Sequence, residues 1–234
     1  MGEIHEDVAL RDRAPVFRDR DDAGRQLGRY LATFPGLDRP LACPIPAGGI
    51  PVGIAVARAL RCPVRPVIVR KIQVPWNPEA GFGAVTWDGR VFLNRDLLPR
   101  LHLTPGQVEA ATTKARANVR ERVARFSLES NPPGMEGCTC ILVDDGLASG
   151  YTMAAACQAL RPLRPRRIVV AVPTGSLSAV RWLGELAEEV ICLNIRTGAS
   201  FAVADAYEEW YDLTEEEAIR MLRVAGDMGE PKRW

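Results

Sequence analysis

Five short apolar runs, at 41–45, 64–69, 140–143, 168–172 and 190–193, punctuate the chain, and several are rich in Val and Ile. Each is too short for a buried helix, and runs of that length predict strands buried on both faces. Stretches with helical periodicity fill the gaps, notably 51–60, 152–160 and 177–186. Strand and helix therefore alternate, which restricts the chain to an α/β architecture: a doubly wound, mainly parallel sheet flanked by helices. Ahead of the first run, Ala23, Leu27, Tyr30, Leu31 and Phe34 recur at helical spacing behind Asp21 and Asp22, which can cap the first turn. The expected organisation is a polar N-terminal arm over 1–20 and a single domain over 21–234, long enough to bury a substantial core.

The rhythm breaks once, over about 71–139. A loop, KIQVPWNPEAGFG, leads into a hairpin-like GAVTWDGRVFL turning at Asp88 and Gly89. A long polar helix is then expected from about Pro105 to Glu129, and NPPGMEG returns the chain to the sheet. That helix carries Lys114, Arg116, Arg120, Arg122 and Arg125, which read as a solvated face.

Thirty basic against twenty-nine acidic residues leave a net charge of +1. No global field is available to hold nucleic acid or an anionic membrane, so neither is expected as a partner, and any bound anion must be gripped locally. The six cysteines include no C-x-x-C pair and mostly sit in apolar runs. They read as reduced core residues of a cytoplasmic protein rather than a disulfide framework or metal site. The two histidines, His5 and His102, are expected on the surface. The opening MGEIHEDVALRDR is charged, and no uncharged run approaches the ~20 residues of a membrane span, so neither signal nor anchor is expected.

The stretch ILVDDGLASGYTM, 141–153, combines a strand end, two adjacent carboxylates and a small-residue loop leading into a helix. In open parallel sheets ligands bind beyond the carboxyl ends of strands, where loops meet helix N-termini. Amides from Gly146 to Thr152, with the positive end of the helix behind them, suit a phosphate, and Ser149 and Thr152 add hydroxyl donors. Asp144 and Asp145 would repel a phosphate lying on them. An extended sugar phosphate removes the conflict: the phosphate takes the amides, and the ribose diol lies over the carboxylates, which also stabilise positive charge developing on the sugar. Two acids after a buried strand also occur in phosphate-accepting regulatory domains and metal-dependent folds, so the pair alone leaves those readings open.

The longer pattern CILVDDGLASGYT, 140–152, resembles the signature of the type I phosphoribosyltransferases, with Ser149 where Thr is common. The resemblance implies that Asp144 and Asp145 hold the ribose of phosphoribosyl pyrophosphate (PRPP), and that Gly146, Leu147, Ala148, Ser149, Gly150, Tyr151 and Thr152 hold its 5′-phosphate. PIPAGGIPVG, 44–53, resembles the family's pyrophosphate loop; Ala47, Gly48 and Gly49 would line it, although relatives carry a basic residue near Ala47. Arg70 and Lys71 end the second expected strand on the same edge, and Lys71 is the expected lysine for the leaving group. The loop from Asn77, Pro78 and Glu79 to Gly83 resembles the lid that closes over substrate. A hood over about 194–218 concentrates Phe201, Tyr207, Trp210 and Tyr211, most of them expected in the core, with Phe201 expected to stack on the base. This segment resembles that of a subgroup whose substrate is unassigned.

The implied reaction is transfer of the 5-phosphoribosyl group of PRPP to a nitrogenous base, with release of pyrophosphate. Asp144, Asp145 and Lys71 would be the catalytic residues, and Mg²⁺ would be held through substrate and the two acids. A regulatory protein that senses PRPP or a nucleotide without turnover is the alternative, and a generic metal- or phosphate-binding domain a third reading. A homodimer is expected by analogy with the family. The sequence names no acceptor base.

Overall fold

The computed structural model describes residues 2–95, 97–126, 135–198 and 201–227; the side chains of 78 and 79 fall outside that description. In chain order the elements are β1 (Glu3–His5), α1 (Arg20–Ala32), β2 (Pro40–Pro44), α2 (Gly49–Leu60), β3 (Val69–Val74), β4 (Asn77–Thr86) and β5 (Val91–Leu93). They continue with α3 (Pro105–Arg125), β6 (Thr139–Val143), α4 (Tyr151–Leu160), β7 (Arg167–Ser176), α5 (Leu177–Leu183), β8 (Glu189–Arg196) and α6 (Glu215–Asp227). Five strands form an open, wholly parallel sheet in the order β1-β8-β7-β6-β2, and β3-β4-β5 form a separate antiparallel sheet.

Alternation along the parallel strands feeds two apolar layers. Ile141, Val143, Val169, Ala171, Ile191 and Leu193 pack with Leu27, Leu31, Val52 and Val56 of α1 and α2. Cys140, Leu142, Ile168, Val170, Val172, Val190 and Cys192 belong to the opposite layer, with Met153 and Leu160 of α4 and Val180 and Leu183 of α5. Helices therefore cover both faces, as the alternation of the sequence requires, and each fully buried Val or Leu contributes roughly 1.5–3 kcal/mol. All six cysteines are free and buried.

Several expectations are corrected. The run at 64–69 is not a regular second strand. Residues 63–67 do lie beside β2, through Ala42 N–H to Pro63 O (3.0 Å), Arg65 N–H to Ala42 O (2.8 Å) and Val67 N–H to Pro44 O (2.9 Å). Only the Ala42–Val64 pair completes a bridge, because the flanking bridges would need N–H groups that Pro40, Pro44 and Pro63 lack. The chain becomes a strand at Val69, in the other sheet, so Arg70 and Lys71 lie within β3 rather than at the end of a parallel strand. The lid segment from Asn77 to Gly83 is β4, paired antiparallel to β3, with register shifts at Ile72/Gln73 and Gln73/Val74. Alternating burial of Ile72 and Val74 against Lys71 and Gln73 explains it: the stretch has a strand's pattern, and its glycines fit close pairing rather than a free loop. The turn at Asp88 and Gly89, by contrast, joins β4 to β5 as expected.

The polar arm adds β1 to the sheet edge, parallel to β8. His5 is correspondingly not a plain surface residue; its Nε2 lies 2.6 Å from Glu189 Oε2 and its ring sits edge-on to Phe34 at 4.8 Å. Helix α1 is capped by Asp19, which accepts from Asp22 N–H, rather than by Asp21 or Asp22. Helix α3 starts on a Thr104–Gln107 capping box, and its expected extension to 129 runs beyond the described residues, as does much of NPPGMEG. Among the described residues no helix is long and apolar enough to cross a membrane.

Candidate active site

Strands β2 and β6 are neighbours in register, Pro44 opposite Val143, so their carboxyl ends finish level. From β2 the chain turns outward to 63–67, whereas β6 begins the other half of the sheet. A crevice opens where connections leave a sheet in opposite directions, and it opens here, between the ends of β2 and β6.

The two loops leaving those ends touch. Ile45 N–H donates to Val143 O at 2.8 Å, and the first turn of α2 lies against the acidic pair. A Cβ on Gly48 would stand 2.0 Å from Asp145 Oδ2, and one on Gly49 would stand 2.6 Å from Val143 O and 3.0 Å from Asp144 Cα. Glycine is required at Gly48 by this close approach, since its own backbone (φ −58°, ψ −35°) suits any residue. The amide of Gly49 is used inside the loop, donating to Ile45 O at 3.0 Å, and Ile50 N–H donates to Ala47 O at 3.0 Å.

The loop after Asp145 is held to β7 by Leu147 N–H to Thr174 O (3.0 Å) and Ser176 N–H to Leu147 O (2.9 Å). Gly146 sits under Val203, and Ala148 and Ser149 are exposed. Gly150, with φ +76°, then turns the chain into the ten-residue helix α4, whose first residues are Tyr151 and Thr152. Tyr151 packs edge-on to Trp182 at 5.0 Å. The whole run expected to hold the 5′-phosphate therefore forms one turn at a helix N-terminus.

The acids have different surroundings. Asp145 accepts a 2.8 Å hydrogen bond from Arg20 Nε, and its side chain keeps only 16% of its surface. Arg20 lies 3.8 Å from the centre of the Trp210 ring and donates from Nη1 to Tyr211 O at 2.9 Å, while Tyr207 Oη donates to Asp145 O at 2.6 Å. Asp144 accepts from Asp145 N–H at 2.9 Å and faces a cavity. Burial, and then the neighbouring Asp145, push the Asp144 carboxyl well above its usual range. Burial also raises Asp145, and the Arg20 guanidinium opposes that shift. Burial, and next Asp145, likewise push the Tyr207 hydroxyl well up, which keeps it a donor.

The cavity, about 670 Å³, has three walls: Ile45, Pro46, Asp144 and Thr152 at the sheet end; Arg70 and Lys71 of β3; and Lys114 and Arg122 of α3. Asp144, Thr152, Arg70 and Lys71 are thus brought together as expected, although from two sheets. Asp145, Ala47, Gly48 and Gly49 are not among the residues that line the cavity. Phe201 is not part of the cavity; its ring centre is 5.9 Å from Arg196 Cζ. Tyr207 belongs to the core, against Phe17 and Trp210 at 5.7 and 5.1 Å.

Three residues of the site and its clamp are not assigned there by the sequence. Arg20 is separated from Asp145 by more than half the chain, and nothing local to it signals a role. Lys114 and Arg122 read as a solvated face; the available signal is that Ala111, Lys114, Ala115, Asn118 and Arg122 share one stripe of the helix with small residues at its centre.

The model of the phosphoribosyl transferase domain family matches residues 88–209, which include the acidic loop but neither Gly48 and Gly49 nor Arg70 and Lys71. A Mycobacterium tuberculosis protein provisionally named a phosphoribosyl transferase is 35% identical over 216 residues, 92% of this chain and 48% of that protein. The chain thus spans about half the length of the curated relatives it matches. The crystal structure of TT1426 from Thermus thermophilus is 34% identical, covers 88% of this chain and 97% of its own, and superposes with a TM-score of 0.74. With that domain matched over slightly more than half the chain, and with its acidic loop closing one wall of the cavity at the crevice of a doubly wound sheet, the chain belongs to the phosphoribosyl transferase family.

Proposed function

We propose that the chain transfers the 5-phosphoribosyl group of PRPP to a ring nitrogen of a nitrogenous base, releasing pyrophosphate, with Mg²⁺ as cofactor. The observation that carries this reading is the electrostatic division of one cavity: Asp144 on one wall, Arg70 and Lys71 on another. The reaction makes a bond from the base nitrogen to the anomeric carbon and breaks the bond from that carbon to pyrophosphate, which leaves with the electron pair. Positive charge grows on the sugar and negative charge on the leaving group, so a site split in this way favours the transition state over the ground state.

Asp144 accepts hydrogen bonds from the ribose diol, and the turn from Gly146 to Thr152 receives the 5′-phosphate. Arg20 fixes the Asp145 carboxylate against Gly48, which holds the acidic loop and the Gly48–Gly49 loop at one spacing. Lys71 meets the leaving pyrophosphate. Phe201 lies outside this cavity, beside Arg196, so no base contact is assigned to it. The donors around the cavity suit a hard divalent cation: a carboxylate raised by burial beside a second carboxylate, the Thr152 hydroxyl and substrate oxygens. Bound magnesium would neutralise pyrophosphate charge.

The test is incubation with PRPP, Mg²⁺ and a panel of purine, pyrimidine and pyridine bases, reading pyrophosphate release. Release that disappears in Asp144→Asn supports the proposal, and no release across the panel rejects transfer. Calorimetric PRPP binding without release would instead favour a regulatory protein that senses PRPP.

A further inference from the structure

The insertion helix α3 has no role in the transfer reading above, yet it forms a full side of the cavity. Lys114 and Arg122 stand on the same stripe two turns apart and face the space bounded by Arg70, Lys71 and Asp144. Four cations from two elements thus line the cavity that Asp144 faces, and one of them, Arg122, is paired with Glu215. Arg122 is only 7% exposed, and burial works against its protonated form, an effect that the Glu215 carboxylate opposes and Arg70 adds to.

Arg122 is held by two contacts. Its Nη2 donates to Pro46 O at 3.3 Å, in the loop that leads to Gly48, and its Nε lies against the Glu215 carboxylate. A concentration of positive charge from Arg70, Lys71 and Lys114, at the mouth of a loop already assigned to the leaving group, fits a compact, multiply charged anion. The loop itself carries no cation, since Ala47 occupies its centre.

We propose that helix α3 completes the pyrophosphate subsite: Lys114 binds the leaving diphosphate across the cavity from Arg70 and Lys71, and Arg122 positions the Pro46 carbonyl and the loop behind it. The assignment rests on the transfer reading and adds to it the residues that hold the leaving group. Lys114 is exposed, so replacing it leaves the packing of α3 intact, whereas Arg116 and Arg120 are exposed on the same helix away from the cavity.

The experiment is calorimetric titration of Mg-pyrophosphate and, separately, of ribose 5-phosphate into wild type, Lys114→Gln, Lys114→Arg and Arg120→Gln, with thermal midpoints confirming the fold. Lys114→Gln is expected to weaken pyrophosphate binding roughly ten-fold while leaving ribose 5-phosphate unchanged; Lys114→Arg and Arg120→Gln should bind both as wild type does. If Lys114→Gln binds pyrophosphate normally, or if Arg120→Gln loses as much, the subsite assignment is wrong and the transfer reading stands. If wild type binds neither ligand, the transfer reading fails and takes the assignment with it.

Discussion

Replacing Gly48 by Ala sets a methyl carbon 2.0 Å from Asp145 Oδ2 and 2.6 Å from its Cγ. The backbone at Gly48 is already right-handed helical, so Ala adds no conformational strain and the whole effect comes from that collision. The carboxylate must withdraw by about 1 Å to reach a tolerable contact. Arg20 cannot follow, because its guanidinium is stacked 3.8 Å from Trp210 and tied at 2.9 Å to Tyr211 O. The 2.8 Å bond from Arg20 Nε to Asp145 is therefore lost. A hydrogen bond to a charged group contributes about 1.5–3 kcal/mol, and the partial exposure of Asp145 places the expected loss near ~2 kcal/mol. For a chain of this size that lowers the unfolding midpoint by roughly 4–8 °C. Denaturant or thermal unfolding of Gly48→Ala, Asp145→Ala and the double variant measures it. In the Asp145→Ala background nothing remains to be displaced, so the Gly48 substitution should then cost less than about 0.5 kcal/mol. Equal costs in the two backgrounds would refute the claim that this glycine exists to admit the carboxylate.

Two further outcomes follow from the buried groups. Because burial and Asp145 hold the Asp144 carboxyl well above its usual range, the folded chain binds that proton more tightly than the unfolded one. The associated stabilisation is full at acid pH and is lost as pH rises through the folded value, so Asp144→Asn should be more stable than wild type at about pH 8, with the gain vanishing near about pH 4; a gain independent of pH, read from unfolding midpoints across that span, would exclude the carboxyl as its source. The six cysteines are buried, and burial pushes Cys62 up to about 11 and Cys157 up to about 12. A thiol reagent at about pH 8 should therefore find no reactive cysteine in the native protein and all six after denaturation, and a rapid native reaction would show an accessible thiol.

The parts of the site legible in the sequence are those whose chemistry is local. Strand end, acidic pair, turn and helix start all lie within 141–153, and their geometry follows from residues a few positions apart. Gly48 and Gly49 are legible for a different reason than the one the structure shows. In the sequence they suggest amide donors, but Gly49 N–H is engaged by Ile45, and both glycines admit the acidic loop at a distance that a side chain would forbid. The run at 64–69 reads as a strand because of its β-branched residues, although Pro63 just before it and Pro40 and Pro44 on β2 lack the donors that a continuous ladder would use. Residues 77–83 read as a loop because of their glycines, whereas the structure pairs them as β4 against β3.

From the order of its residues alone the chain settles its alternating layers and the turn that joins the acidic strand end to a helix, because each depends on periodicity or on turns spanning few positions. Tertiary structure decides which acid faces the cavity, which is clamped by Arg20, and that a helix inserted between β5 and β6 supplies Lys114 and Arg122 to the opposite wall. Such pairings join positions far apart in the chain, and their energies come from burial and from charges meeting only after the layers have packed. No local pattern encodes them, since the same arginines and lysines would read identically on a surface that met nothing.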